Sequence, residues 1–245
     1  MKRFDWRLYW RWIHANGWAE AIGLGMTLIL AWIMPLPSEA AGDRTSLLVR
    51  AAVSVMLGTI LEGVVVGMAQ AAVLADYLPF SRRHWIGATA TGAGLAWLLG
   101  IVPSTAAALA GADQPHATPV EPGAVVQFAF AIALGLVLGF ILGSAQWFVL
   151  RRYSSAAWRW IWANMAAWAV GMPAIFVGME LVPWRLGGIA VIVSAFGACW
   201  ISGGLVGAVH GLVLMSIART QSQSSDPSAL TAPAAALPAT APGTS

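Results

Sequence analysis

Long apolar stretches, separated by short polar segments, make up most of this chain. Six of them are about as long as a membrane span, which needs roughly 18 residues or more. They run at about 16–34, 51–74, 85–102, 124–150, 160–182 and 188–217. None alternates polar and apolar residues over about ten positions, as a barrel strand does. Because lipid offers no hydrogen-bond partners to the backbone, we expect all six to be α-helices.

The remaining segments have a different composition. Residues 1–15 carry basic residues, and Trp6, Tyr9, Trp10 and Ile13 share one helix face. This pattern predicts an interfacial amphipathic segment and not a cleavable signal. Pro103 is expected to end the third span and Pro173 to kink the fifth. Residues 103–123 are predicted to be irregular. Residues 218–245 are rich in Ala, Pro, Ser and Thr and are predicted to be a disordered tail after a membrane domain at 16–217.

Two motifs alternate along the chain and divide it into three similar parts. Gly-x-x-x-Gly-x-x-[Gln/His]-x-x-x-Leu occurs at Gly63, Gly67, Gln70 and Leu74, at Gly139, Gly143, Gln146 and Leu150, and at Gly203, Gly207, His210 and Leu214. Trp-Ile-x-Ala-[Asn/Thr] opens the other three spans, starting at Trp12, Trp85 and Trp160. This pattern predicts an all-α integral membrane bundle of six transmembrane helices. It would consist of three parallel two-helix hairpin repeats, at about 12–78, 85–153 and 160–217, around an axis normal to the membrane.

The spacing of the first motif places both glycines and the following polar residue on one helix face. Glycines there would let another helix approach closely, as in GxxxG packing. We therefore predict a polar layer near the cytoplasmic surface, formed by Asn16, Gln70, Gln146, Asn164 and His210. It is either a structural clamp between helices or the mouth of a cavity.

Composition supports lipid as the solvent. The chain is 59% hydrophobic and only 9% charged, whereas soluble domains average about 25% charged residues. A net charge of +3 does not indicate nucleic-acid binding. The single cysteine, Cys199, excludes an internal disulfide. Many of the 14 tryptophans lie at predicted span ends, as an aromatic belt would.

The basic residues predict an orientation. Ten of the 13 Lys and Arg residues fall on the side that holds both termini, and three fall on the other side. Basic loops face the cytoplasm, so we expect both termini there, in a multi-pass protein of the inner membrane. The bilayer is the expected partner, together with a membrane-protein partner or a second copy of the chain.

Two acids within the predicted spans are candidates for chemistry. Glu62 lies near the middle of the second span, and Glu20 lies one turn after Asn16. A charged carboxylate in the bilayer centre costs on the order of 3 kcal/mol, so such residues suggest function by default. Alternatively, Glu62 is protonated and bonds a neighbour. His14, His84 and His210 show no metal-ligand spacing, and we expect no metal. Enzyme and phosphate-binding motifs are absent from the sequence, so neither an enzyme nor a cofactor is expected.

The segment from Gly139 to Asn164, with GFILGSAQWFVLRRY, resembles uncharacterised bacterial multi-pass membrane proteins. Those proteins carry GxxxGxxQxxxLR followed by a Trp-rich Ala-Asn helix start. The copy at Leu74 departs from this pattern, because Ala75 and Asp76 replace the arginines seen at 151 and 152. The resemblance implies a membrane protein and supplies no mechanism.

The sequence favours a scaffold or assembly protein and leaves two alternatives. A scaffold or assembly protein fits the regular packing motif and the few buried charges. A carrier or channel for a small solute, ion or proton fits the parallel repeats, with Glu20 and Glu62 on its path. An intramembrane enzyme is the third. The direction of the two acids distinguishes the first two, because a shared axial cavity favours transport and a closed core favours a scaffold.

Overall fold

The computed structural model describes residues 5–33, 44–112, 123–183 and 185–224. Over these ranges the chain forms six helices and no strands. They are α1 (Trp6–Ile33), α2 (Arg44–Leu74), α3 (Arg82–Ala112), α4 (Ala124–Leu150), α5 (Arg159–Glu180) and α6 (Gly188–Ser224). A single 3₁₀ turn, Ser155–Trp158, precedes α5. The predicted all-helical class is confirmed.

Five helices, α2 to α6, are long and apolar enough to cross a membrane. Among the described residues α1 does not reach the same hydropathy, since it carries the polar Asn16 and Glu20 within its apolar part. Side chains on the outside of the bundle are apolar, among them Val125, Phe130 and Ile189. A surface of this kind suits contact with lipid.

The helices form a closed ring in chain order. Each helix contacts its neighbours in sequence, and α1 also contacts α6. The most extensive contacts join α2 to α3, α4 to α5 and α6 to α1. These three contacts lie between the predicted hairpins, and the contacts within each predicted hairpin are less extensive.

Several predicted boundaries differ from the structure. The prediction that Pro103 ends the third span is wrong, because α3 continues through it to Ala112. Proline removes the backbone donor that would bond the carbonyl of Leu99, yet the helix continues. In the same turn the Ser104 hydroxyl bonds the carbonyls of Gly100 (3.1 Å) and Ile101 (2.9 Å). Helix α6 extends past Ile217 to Ser224, so the start of the predicted tail is helical. The rest of the tail, and residues 113–122 of the predicted loop, lie outside the described residues.

Residues 6–15, predicted as an interfacial segment, are the first turns of α1 without a break. Leu8 and Trp12 there are buried, whereas Trp6 and Trp10 are exposed. Pro173 lies inside α5, and the kink there stays a prediction.

A π-helical segment, Gly58–Val64, interrupts α2 in its middle and contains Glu62. Such segments insert an extra residue into a helical turn and occur often at functional sites. Gly58 is buried, and a Cβ there would collide with the indole of Trp97 on α3. Glycine at this position therefore lets Trp97 lie against α2 beside Glu62.

One hydrophobic cluster fills the ring at the end where α1 starts and α6 finishes. It contains Trp12, Trp85 and Trp160, which are fully buried, and the Val-Leu pairs of the repeated motif. The Trp160 ring centroid lies 6.0 Å from that of Trp12 and 6.2 Å from that of Trp85. The interior is closed at this end.

Candidate functional site

The predicted polar layer lies directly against this tryptophan cluster. Its five members, Asn16, Gln70, Gln146, Asn164 and His210, are at most 2% exposed. They come from five different helices and converge on the interior of the ring. Buried polar groups of this kind require hydrogen-bond partners, and the structure supplies most of them from within the layer and from the three tryptophans.

Gln70 connects three helices. Its Nε2 donates to Asn16 Oδ1 on α1 at 2.8 Å. Its Oε1 accepts from the indole of Trp85 on α3 at 3.2 Å and from Gln146 Nε2 on α4 at 2.9 Å. Asn16 in turn donates to the backbone carbonyl of Trp12 at 2.8 Å. The Gln70 side chain therefore uses both its N–H donor and its oxygen acceptor.

Gln146, in the next copy of the motif on α4, has the same kind of environment. Its Oε1 accepts from the indole of Trp160 at 2.8 Å. Its Nε2 donates to Gln70 and, at 3.0 Å, to Thr89 Oγ1. Thr89 occupies the position that Asn16 and Asn164 hold in the other copies of the second motif, and it donates to the Trp85 carbonyl at 3.0 Å.

The third copy differs because histidine replaces glutamine. Trp12 donates its indole N–H to His210 Nδ1 at 2.9 Å, as the other two tryptophans donate to glutamine. The His210 ring stacks on Trp160, with centroids 5.1 Å apart. Asn164 donates to the Trp160 carbonyl at 3.0 Å, but its Oδ1 is buried without a partner. The corresponding oxygens of Asn16 and Thr89 each accept from a glutamine.

The three motif tryptophans were expected at the membrane interface, as part of an aromatic belt. The structure buries them completely and uses each indole N–H as a donor to the polar layer. Their recurrence at one motif position was the sequence signal for this role.

The motif glycines lie at contacts with the next helix along the ring. A Cβ at Gly67 would lie 3.0 Å from the Ile86 Cα. A Cβ at Gly143 would lie equally close to the Ile161 Cα, and one at Gly207 would lie 3.1 Å from the Ile13 Cα. Each contacted isoleucine belongs to the second motif. The first glycine of each motif copy leaves still less space for a Cβ; these are Gly63, Gly139 and Gly203.

Asp76, which departs from the arginine pattern, forms an ion pair. Its carboxylate lies 2.8 Å from the Arg11 guanidinium on α1. Hydrogen bonding to this carboxylate raises the pKa of Arg11 above its usual value. The pair links α1 to the end of α2 outside the apolar region.

Glu62 and Glu20 lie together on the other side of the polar layer. The Trp97 indole donates to Glu62 Oε2 at 2.8 Å. Glu20 is buried, interacts electrostatically with Glu62, and has one oxygen, Oε2, without a partner. Gly23 brings α1 close to α2 here, because a Cβ on it would lie 2.7 Å from the Glu62 Cα. In the described part of the chain neither acid has a basic partner.

A cavity of about 200 Å³ lies beside Glu62. Residues of α1 to α5 line it, including Leu24, Leu138 and Met172, together with the tryptophans Trp97 and Trp168. Glu62 faces this space and is partly accessible, and among the described residues it is the one ionisable side chain on the wall. Sequence reasoning missed Trp97 and Trp168, since a lone tryptophan in an apolar run has no distinguishing pattern.

The histidines do not converge. His14 lies against Trp10 and Trp200, and His210 belongs to the polar layer. Over residues 5–33, 44–112, 123–183 and 185–224, no three His, Cys, Asp or Glu residues are grouped as a metal ion would require.

Comparison with known proteins gives no relative: no family model, no curated protein and no solved structure matches the chain.

Proposed function

We propose that this protein is a six-span membrane carrier that binds a small solute in the cavity beside Glu62. The observation that carries the proposal is the position of this acid on the wall of a partly open apolar cavity, with Glu20 behind it. An apolar pocket with few polar groups is the usual form of a small-molecule site. Acids at this depth in a membrane protein commonly mark a substrate or proton pathway.

Helix α1 supplies the sixth span. It has 28 residues, more than the roughly 20 needed to cross a bilayer. It lies in the ring between α2 and α6. Its polar residues are covered by these neighbours, since Asn16 bonds Gln70 and Glu20 lies against Gly203. These contacts let a helix of lower hydropathy remain in the membrane.

Three parallel hairpins, α1–α2, α3–α4 and α5–α6, account for the cyclic contacts. Trp85 bonds Gln70 of the preceding hairpin, Trp160 bonds Gln146, and Trp12 bonds His210 to complete the cycle. The glycine contacts follow the same cycle. This regularity supports a pseudo-three-fold axis along the membrane normal.

The basic residues orient the ring in the inner membrane with both termini, the tryptophan cluster and the polar layer on the cytoplasmic side. The proposed division is an interfacial segment at 1–15 that continues into α1, a membrane domain at 16–217 and a tail at 218–245 whose first residues continue α6 to Ser224. The closed cytoplasmic end favours a carrier over an open channel, because Trp12 and Trp85 both pack against Trp160 across the interior. The polar layer then acts as an inner gate.

A scaffold is the second candidate, and the packed tryptophan cluster favours it. The three motif tryptophans bond all their indole donors within the ring, so this end is built as a rigid core. A scaffold would use its apolar outer surface to bind a membrane-protein partner or a second copy.

The two candidates are separated by what remains bound after extraction in native lipid. Gly100 lines the cavity and has open space around a Cβ, so Gly100→Phe should fill the cavity. Gly87 has equally open space but does not line the cavity, so Gly87→Phe is the matched control. Mass spectrometry should find a small molecule with the wild type and Gly87→Phe but not with Gly100→Phe. A stoichiometric protein partner, with no small molecule in any variant, would instead establish the scaffold.

A further inference from the structure

The cavity combines an apolar wall with a single acidic group. Its volume of about 200 Å³ is below the roughly 300 Å³ at which sites for drug-sized ligands begin. The ligand is therefore small, about one ring in size. An apolar wall rejects strongly hydrated ions, whereas a carboxylate rejects anions. These properties together fit a small organic cation with an apolar body.

We infer that the proposed carrier binds a small organic cation at Glu62 in exchange for a proton. This inference rests on the proposed function and specifies its substrate class. When the cavity is empty, the Glu62 carboxyl holds a proton. When the cation enters, the O–H bond of that carboxyl breaks, the proton leaves to water, and the carboxylate pairs with the cation. No covalent bond to the ligand forms, and the net charge of the site does not change.

The surroundings of Glu62 favour this exchange. Among the described residues, Glu20 on α1 and Cys199 on α6 are the titratable groups that interact electrostatically with Glu62, and Trp97 on α3 bonds it. None of them carries a positive charge. Two neighbouring acids in an apolar site cannot both ionise without a counter-charge. A proton supplies that charge in the empty site, and a cation can replace it.

The tryptophans on the wall provide the second recognition element. Trp97 and Trp168 both line the cavity. Indole is the best side chain for binding a cation over its face, and quaternary ammonium groups are commonly recognised by aromatic walls. The hydrogen bond from Trp97 also fixes the Glu62 carboxylate at one oxygen, Oε2. A ligand with a quaternary ammonium on an aromatic ring would meet both elements.

The test uses benzyltrimethylammonium and neopentylbenzene, which have the same shape and differ in charge. Binding to the full chain in lipid nanodiscs is measured by calorimetry in two buffers of different ionisation enthalpy, with empty nanodiscs subtracted. At a pH below the titration of Glu62, we expect the cation to bind at least tenfold more tightly than the neutral compound and to release about one proton. Its affinity should fall by up to about tenfold for each pH unit below the titration of Glu62, because each unit is a factor of ten in proton occupancy.

Glu62→Gln should abolish both the charge preference and the proton release. Glu180→Gln is the matched control, since Glu180 is exposed at the end of α5 and does not line the cavity. If Glu62→Gln does not fold, two other measurements still test the inference. They are the proton release of the wild type and the loss of cation affinity in Trp97→Phe. Equal binding of the two compounds, or cation binding without proton release, would overturn the inference.

Failure of the substrate class is distinguishable from failure of the carrier. If benzyltrimethylammonium does not bind but a small molecule co-purifies and is lost in Gly100→Phe, the inference is wrong and the cavity still binds a solute. If neither compound binds and nothing co-purifies, both proposals are wrong.

Discussion

The indole nitrogen of Trp97 lies 2.8 Å from Glu62 Oε2 and joins α3 to the π-helical segment of α2. This bond gives the acid a fixed direction beside the cavity.

The bond between Trp97 and Glu62 gives a first prediction. Trp97→Phe keeps a ring against Gly58 but removes the donor and one ring of the indole, so we expect the free energy of unfolding to fall by about 1–2 kcal/mol. Denaturant titration in detergent measures it. Trp162→Phe, at an exposed tryptophan of α5, should change stability much less, and an equal loss in both variants would contradict the role of the bond.

The second prediction concerns the unpaired oxygen of Asn164. A glutamine at position 210 could accept from Trp12 and donate to Asn164 Oδ1, as Gln70 does with Trp85 and Asn16. We expect His210→Gln to stabilise the protein by about 1 kcal/mol, because it satisfies a buried acceptor. The exposed His84→Gln serves as the control in the same unfolding assay. A destabilised His210→Gln would show that stacking of the imidazole on Trp160 contributes more than the missing bond.

Third, the glycines of the repeated motif should differ sharply from a glycine outside it. A Cβ at Gly139 would lie 2.7 Å from the Cα of Met165, a contact that requires the backbones of α4 and α5 to separate. Gly139→Ala should therefore cost about 1–3 kcal/mol. Gly87→Ala adds a methyl group in open space and should be neutral or slightly stabilising, since alanine restricts the unfolded chain. Thermal unfolding of the two variants compares them, and equal stability would exclude close packing at Gly139.

Fourth, reporters should locate the two ends of the ring. A fusion after Gly111 should report the outside of the membrane, and a fusion after Ser154 should report the cytoplasm, because the basic residues cluster on the latter side. Alkaline phosphatase and green fluorescent protein, which are active on opposite sides, provide the two readouts. The same side for both fusions would contradict six spans with cytoplasmic termini.

The sequence predicted much of this arrangement because the relevant information is local. Apolar length identifies helices, and the spacing of Gly67 and Gln70 defines one helix face. The helix that packs against that face is distant in the sequence, so the motif does not identify it. The motif did not show that Gln70 would bond Trp85 of the next hairpin, or that contacts between hairpins would exceed those within them.

The remaining differences have separate physical origins. The π-helical turn at Glu62 has no sequence pattern, since it depends on how α2 fits against Gly23 and Trp97. Pro103 was expected to end its helix, as proline commonly does in soluble proteins. Within apolar helices proline is tolerated more often, because neighbouring groups and local helix adjustments can satisfy the carbonyl that it leaves free, and α3 continues through Pro103. The cavity depends on the distances between five helices and could not be predicted from any of them.

The contact between α1 and α6 has a consequence for biogenesis. Helix α1 is synthesised first, yet its neighbour α6 comes last and supplies Gly203, Gly207 and His210 to it. At about 5–20 residues per second, the ribosome needs on the order of ten seconds or more to produce the intervening chain. During that time Glu20 lacks its final surroundings, so the least apolar helix waits longest for its partner. An insertion chaperone or the translocon itself would have to shelter α1 until the last helix arrives.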